Sequence, residues 1–259
     1  MTPGGPVTNT QNTIQNNCQN GINVGTGSTA NLVLHNAIQG NGGTGVGVNG
    51  GNAVLSACCD PADNPGQILI QNNLRGIVVS AGGSANINAG NDLDGNPGTI
   101  LIKDNKEWGV LVFGPAVVSL IGQTIVQNNM TTLSTAFGFA LPAGIIASNG
   151  GVLFLSFGVQ ILNNHGPGIL ADVQSKVRLG SLPALPPFPP PLFPGITVSG
   201  NTADGVVLTH MSIAESFAGN TISGNTGADL TCYATSLLFG DVTGITVNKC
   251  ANTEQAKKK

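Results

Sequence analysis

The phrase TIQNN at position 13 returns as AIQGN at 37, LIQNN at 69, LIKDN at 101, IVQNN at 125, ILNN at 161, TVSGN at 197 and TISGN at 221, with a degenerate TVNKC at 246. Its second polar residue falls at Asn17, Asn41, Asn73, Asn105, Asn129, Asn164, Asn201 and Asn225, so successive copies lie 24, 32, 32, 24, 35, 37 and 24 residues apart. A 24-residue unit with insertions in its longer copies is the mark of a repeat architecture. One such unit cannot bury its apolar face alone, and stacked neighbours build the core together.

Two further signals recur inside the unit. Gly followed by apolar, any, apolar appears as GINV at 21, GVGV at 45, GIVV at 76, GVLV at 109, GIIA at 144, GILA at 168 and GVVL at 205. A later apolar patch reads NLVL at 31, AVL at 53, NIN at 86, VVSL at 117, VLFL at 152, KVRL at 176 and SLLF at 236. The period-2 alternation and glycine-rich corners describe three short strands per unit. Three strands per turn, each pairing with its equivalent one turn on, make a parallel β-helix, for which right-handed crossover is the favoured sense.

Composition agrees with an all-β chain. Only 8% of the 259 residues are charged, against about 25% in ordinary soluble domains, while 38 are glycine. The charged helix formers that a soluble helical protein needs on its faces are scarce. With 41% hydrophobic residues there is ample material for a core.

On these phrases the sequence resembles the right-handed parallel β-helix superfamily with the pectate-lyase-like fold. The resemblance spans roughly 12–250, preceded by a lead-in at 1–11 and followed by a tail at 251–259. It implies a single-stranded helix of about eight coils and a ladder of stacked asparagine amides at one corner, matched by the eight asparagines above. The ladder has a physical case of its own. An amide carries both donors and an acceptor, so identical Asn side chains about 4.8 Å apart satisfy one another.

The resemblance carries no activity, because this fold hosts enzymes and inert scaffolds alike. Lyases of the superfamily use clustered acids that hold Ca²⁺ and an Arg or Lys base; its polygalacturonase-like hydrolases carry GHG and RIK motifs. Neither signature is present, and Arg75 and Arg178 are the only arginines.

Function is sought where the repeat is broken. Insertions at 57–66 and 89–98 occupy the same corner of neighbouring units and carry Asp60, Asp63, Asp92 and Asp94 with no Lys or Arg. Such carboxylates repel by about 1 kcal/mol per near pair, and a calcium ion held also by Asn96 would relieve that. Ordinary Asx-turns in solvated loops are the alternative.

A different corner aligns Gly76 with Gly109 and so sets Arg75 over Trp108, the only tryptophan, with Lys106 and Glu107 alongside. It reads either as a cation–π pair beside a sugar-binding cleft or as a solvated corner with one structural Trp. The 131–143 insertion falls at this same corner one unit on, and the proline-rich 181–195 reads either as a partner-recognition segment or as a cover for the outward row of Val78, Leu111, Ile146, Leu170 and Val207. Soluble proteins seldom expose such a stripe, so either the proline-rich loop or a second subunit in a homo-oligomer is expected to cover it. The outward row of the first strand reads Gln15, Gln39, Gln71, Lys103 and Gln127, a polar surface that faces either water or a glycan.

A net charge of −3 gives no field for gripping a phosphate backbone, so nucleic acid is excluded. The charge-free stretch 109–171 is interrupted by Gly, Pro and amides and makes no membrane span. The opening MTPGGPVTNTQ is no signal peptide, and the chain reads as the mature part of an extracellular or cell-surface protein. Of Cys18, Cys58, Cys59, Cys232 and Cys250, the last two are either a disulfide or two small buried thiols. His35, His165 and His210 share no spacing and read as incidental. The function expected is a structural or binding module, on glycans or in an extracellular assembly. The alternative is a polysaccharide lyase or hydrolase acting at the acidic loops.

Overall fold

The computed structural model describes residues 11–57, 66–90, 97–130, 143–180, 194–233 and 235–250. These form three parallel sheets of eight, nine and eight strands, visited in rotation by the chain up to its last strand. The sheets begin with Asn12–Gln15, Ile22–Val24 and Thr29–Val33, and one strand from each makes a rung of a parallel β-repeat solenoid. Among the described residues no helix is long and apolar enough to cross a membrane.

Register places like on like. In the first sheet Ile14, Ile38, Ile70, Ile102, Val126, Ile161, Val198 and Ile222 pair in one continuous inward row. Equivalent rows of the other two sheets, for example Val46, Ile77 and Val110, or Leu55, Ile87 and Leu120, meet it in a core from which water is excluded. β-Branched side chains suit this stacking because their stiff χ1 wells match the pleat.

The polar pair after each first strand divides its labour. The first member turns the chain with a left-handed φ: 58° at Asn16, 56° at Asn72, 53° at Asp104, Asn128 and Asn163, with glycine at positions 40, 200 and 224. The second member points inward and builds the ladder. Asn17, Asn41, Asn73, Asn105, Asn129, Asn164 and Asn201 each donate from Nδ2 to Oδ1 of the next, over 2.8–3.2 Å, ending on Asn225. Each also donates its backbone N–H to that same oxygen. The other Nδ2 hydrogen reaches a carbonyl of the preceding rung, as from Asn105 to Ile70 at 3.2 Å. A buried amide thereby has every donor and acceptor used, which is what makes its burial tolerable.

The ladder also explains the glycine that opens the second strand. A Cβ on Gly45 would stand 2.8 Å from Ile70 Cγ2 and 2.9 Å from both Asn73 Nδ2 and the Gly76 carbonyl oxygen. The amide fills the inside of the corner, and only glycine leaves it room.

Two details depart from the phrase pattern. Val247–Asn248, within TVNKC, pairs with Leu230–Cys232 of the second sheet instead of extending the first. The Cys232–Cys250 disulfide holds it there. Ile213–Ser216 is a full third-sheet strand although its sequence repeats none of the apolar patches.

Candidate binding surface

The three outer faces differ. On the first sheet Gln39 donates to Gln15 at 3.0 Å and Gln71 to Gln39 at 2.8 Å, and Lys103 and Gln127 continue the row in register. This face is a row of polar side chains, exposed at Gln15 and half-buried at the other four positions.

On the second sheet the outward row of Val78, Leu111, Ile146, Leu170 and Val207 stacks in register. The isolated chain buries it: Leu111 and Ile146 are 0% exposed and Leu170 1%. Trp108, Met130 and Ala143 join the row in a second apolar cluster outside the solenoid wall. Trp108, Met130 and Ala143 are thus the described residues that pack on this row. Met130 and Ala143 flank 131–142, which, like most of the proline-rich segment at 181–193, lies outside the described residues.

Arg75 and Trp108 meet as their aligned glycines require, with the guanidinium carbon 5.4 Å from the indole centroid. Arg75 Nε donates to Glu107 Oε2, with the two side chains only 18% and 9% exposed. Lys106 is exposed beside them, and Lys103 pairs with Asp104 at 3.3 Å. Trp108 itself is 1% exposed and has no open face for a sugar ring. This corner clasps the second apolar cluster to the wall, and its aromatic serves packing.

Asp60, Asp63, Asp92, Asp94 and Asn96 lie outside the described residues, as do Cys58 and Cys59. The bases of the two acidic loops are neighbours: Ala57 N–H donates to the Asn88 carbonyl at 3.1 Å and Thr99 N–H to that of Gly66 at 2.9 Å. Among the described residues no group of three or more His, Cys, Asp or Glu is placed to hold a metal ion.

One cluster escaped the sequence. His210 Nδ1 lies 2.7 Å from Asp172 Oδ1, which also accepts from Thr209 Oγ1 at 2.8 Å. Thr209 Oγ1 contacts that same ring nitrogen. A nucleophile activated by a His–Asp pair must sit on the opposite nitrogen, so the trio braces a corner and does not form a catalytic triad. Counting from the second strands would have found it, since Asp172 and Thr209 follow the paired residues Ala171 and Leu208.

The third sheet keeps its outer face open and changes character along its length. Its early strands show Asn31, Asn52, Ser84 and Asn86. Later strands show Val117, Val152, Lys176, Ile213 and Leu237 in one row and Ser119, Phe154, Arg178, Glu215 and Phe239 in the next. Arg178 Nε donates to Glu215 Oε2 at 3.1 Å, and its guanidinium lies 5.3 Å from the Phe154 ring centroid and 5.7 Å from that of Phe217. Phe239 is 41% exposed and Tyr233, at the adjoining corner, 45%. Half-exposed aliphatic rows, aromatic faces and one fixed ion pair suit contact with a partner.

No protein-family model matches the chain, and no curated protein does either. A solved structure, ORF18 of Geobacillus virus E2, aligns over 89% of this chain and 50% of its own length at 11% identity, with a TM-score of 0.36. The chain thus spans about half that protein's length, and the superposition is too loose to support an argument.

Proposed function

We propose that the chain is a structural and binding module, built as a right-handed parallel β-helix of about eight coils that works outside the cell or at its surface on a glycan. One observation carries this reading: the third sheet leaves Phe239 and its aliphatic rows open while the equivalent row of the second sheet is buried. Aromatic faces pack on the C–H faces of sugar rings, and Lys176, Arg178 and Glu215 stand in the same rows to meet hydroxyls.

Co-sedimentation with a panel of insoluble neutral and acidic polysaccharides tests it. Retention of the wild-type chain on at least one, and loss of that retention in Phe239→Asp with folding intact, is the expected result. Equal retention of both proteins, or none for the wild type across the panel, contradicts the reading.

A further inference from the structure

We infer that the chain forms a two-fold dimer through the outer face of its third sheet, with Arg178 of each copy against Glu215 of the other. The dimer uses the face assigned above to a glycan, so the two compete for it, but it does not depend on that reading.

Four consecutive strands of this sheet, Val152–Ser156, Lys176–Leu179, Ile213–Ser216 and Leu237–Gly240, pair in register. One outward row across them reads Phe154, Arg178, Glu215, Phe239: aromatic, cation, anion, aromatic. The side chains of Arg178 and Glu215 are 39% and 44% exposed and Phe239 41%, so the row is within reach of another molecule.

A row in this order is its own complement when reversed. Two identical sheets that meet face to face are related by a two-fold axis lying in the contact plane. An axis along the strand direction, midway between the Arg178 and Glu215 strands, reverses the order of the rungs and keeps each row opposite itself. Phe154 then meets Phe239 of the second copy at both ends, and each Arg178 meets the other copy's Glu215 at the centre. Strands about 4.8 Å apart in sheets about 10 Å apart bring the four charged groups into one cluster.

The groups keep capacity for that contact. Within the chain Arg178 Nε donates to Glu215 Oε2 at 3.1 Å, while a guanidinium carries five N–H donors and a carboxylate two oxygens. Phe154 and Phe217 already hold the guanidinium in place, which lowers the ordering cost of association. A linked network of charges also contributes more than an isolated surface pair.

The neighbouring row agrees. Val152, Lys176, Ile213 and Leu237 reverse so that Val152 meets Leu237 of the second copy and the aliphatic stem of Lys176 lies along Ile213. No like charges stand directly opposite each other in either row. An acidic partner answers only Arg178 and a basic one only Glu215, whereas a second copy supplies both charges in reverse order at the strand spacing.

Sedimentation equilibrium of the full chain, over a concentration series up to its solubility limit, tests the dimer. The wild type is expected to approach twice its 26.0 kDa chain mass. Arg178→Glu and Glu215→Arg each place two like-charge contacts in the dimer by symmetry and are expected to weaken it about tenfold or more, with circular dichroism unchanged. An equal mixture of the two variants is expected to recover the dimer, because the all-acidic centre of one faces the all-basic centre of the other. Mixing repairs no ion pair within a chain, so a purely intramolecular role for Arg178 and Glu215 gives no recovery.

A wild type that stays at monomer mass overturns the inference. So do single variants that dimerise as the wild type does, which moves the contact to another surface, or a mixture that stays monomeric.

Discussion

Asn105 Nδ2 donates to Asn129 Oδ1 at 2.9 Å, and the backbone N–H of Asn105 donates to that same oxygen at 3.2 Å. One buried carbonyl thus fixes both a side chain and a turn of the rung before it, and the pattern propagates along the solenoid.

Asn105→Leu removes the acceptor of two Asn73 donors in a site with no exposure. Each stranded donor costs about 1–3 kcal/mol, so a loss of about 3 kcal/mol or more is expected in urea unfolding followed by far-UV circular dichroism. Asn17→Leu, at the exposed start of the ladder, removes one side-chain donor to Asn41 Oδ1 and is expected to cost about 1 kcal/mol or less.

Gly45→Ala drives a methyl group into Ile70, Asn73 and the Gly76 carbonyl. Overpacking of this kind costs about 1–3 kcal/mol. Gly25→Ala meets nothing within 4 Å and is expected to stay within about 0.5 kcal/mol of wild type in the same assay.

The repeat and its ladder were legible because interior positions are constrained in every rung: an inward Ile stacks on an inward Ile, and an amide on an amide. The Asn pair carried both its roles openly, since Asn72 turns the chain and Asn73 builds the ladder. Outward positions carry no such constraint. Phe154, Arg178, Glu215 and Phe239 stack at one outward place of the third strands, but the residue type there changes from strand to strand, so the open third face had no periodic chemical signal. The Arg75–Trp108 contact followed from alignment, but its burial did not. Exposure there depends on what lies outside the wall, which register alone does not specify.

Arg75→Ala leaves Glu107 without its guanidinium partner in a site where that carboxylate is 9% exposed. Stranding one member of a largely buried pair costs about 3 kcal/mol, and the uncovered indole face admits water. Because Trp108 is the only tryptophan, the emission maximum reports the change directly. A red shift relative to wild type is expected, with Arg75→Lys intermediate.

Alkylation of the native, unreduced chain is expected to label Cys18 and spare Cys232 and Cys250 in peptide mapping. Cys250→Ser removes a link across 18 residues and is expected to lower stability by about 3 kcal/mol, with early loss of protection at 241–250 in hydrogen exchange.

Hydrogen exchange of the side-chain carboxamides, read by NMR in the folded chain, bears most directly on the claim that the recurring Asn pair is an interior ladder. The Nδ2 hydrogens of Asn73, Asn105, Asn129 and Asn164, buried and doubly bonded, are expected to exchange orders of magnitude more slowly than the outward Nε2 hydrogens of Gln15 and Gln39. Exchange of both sets at the same solvent-limited rate would place those asparagines on the surface and contradict the account.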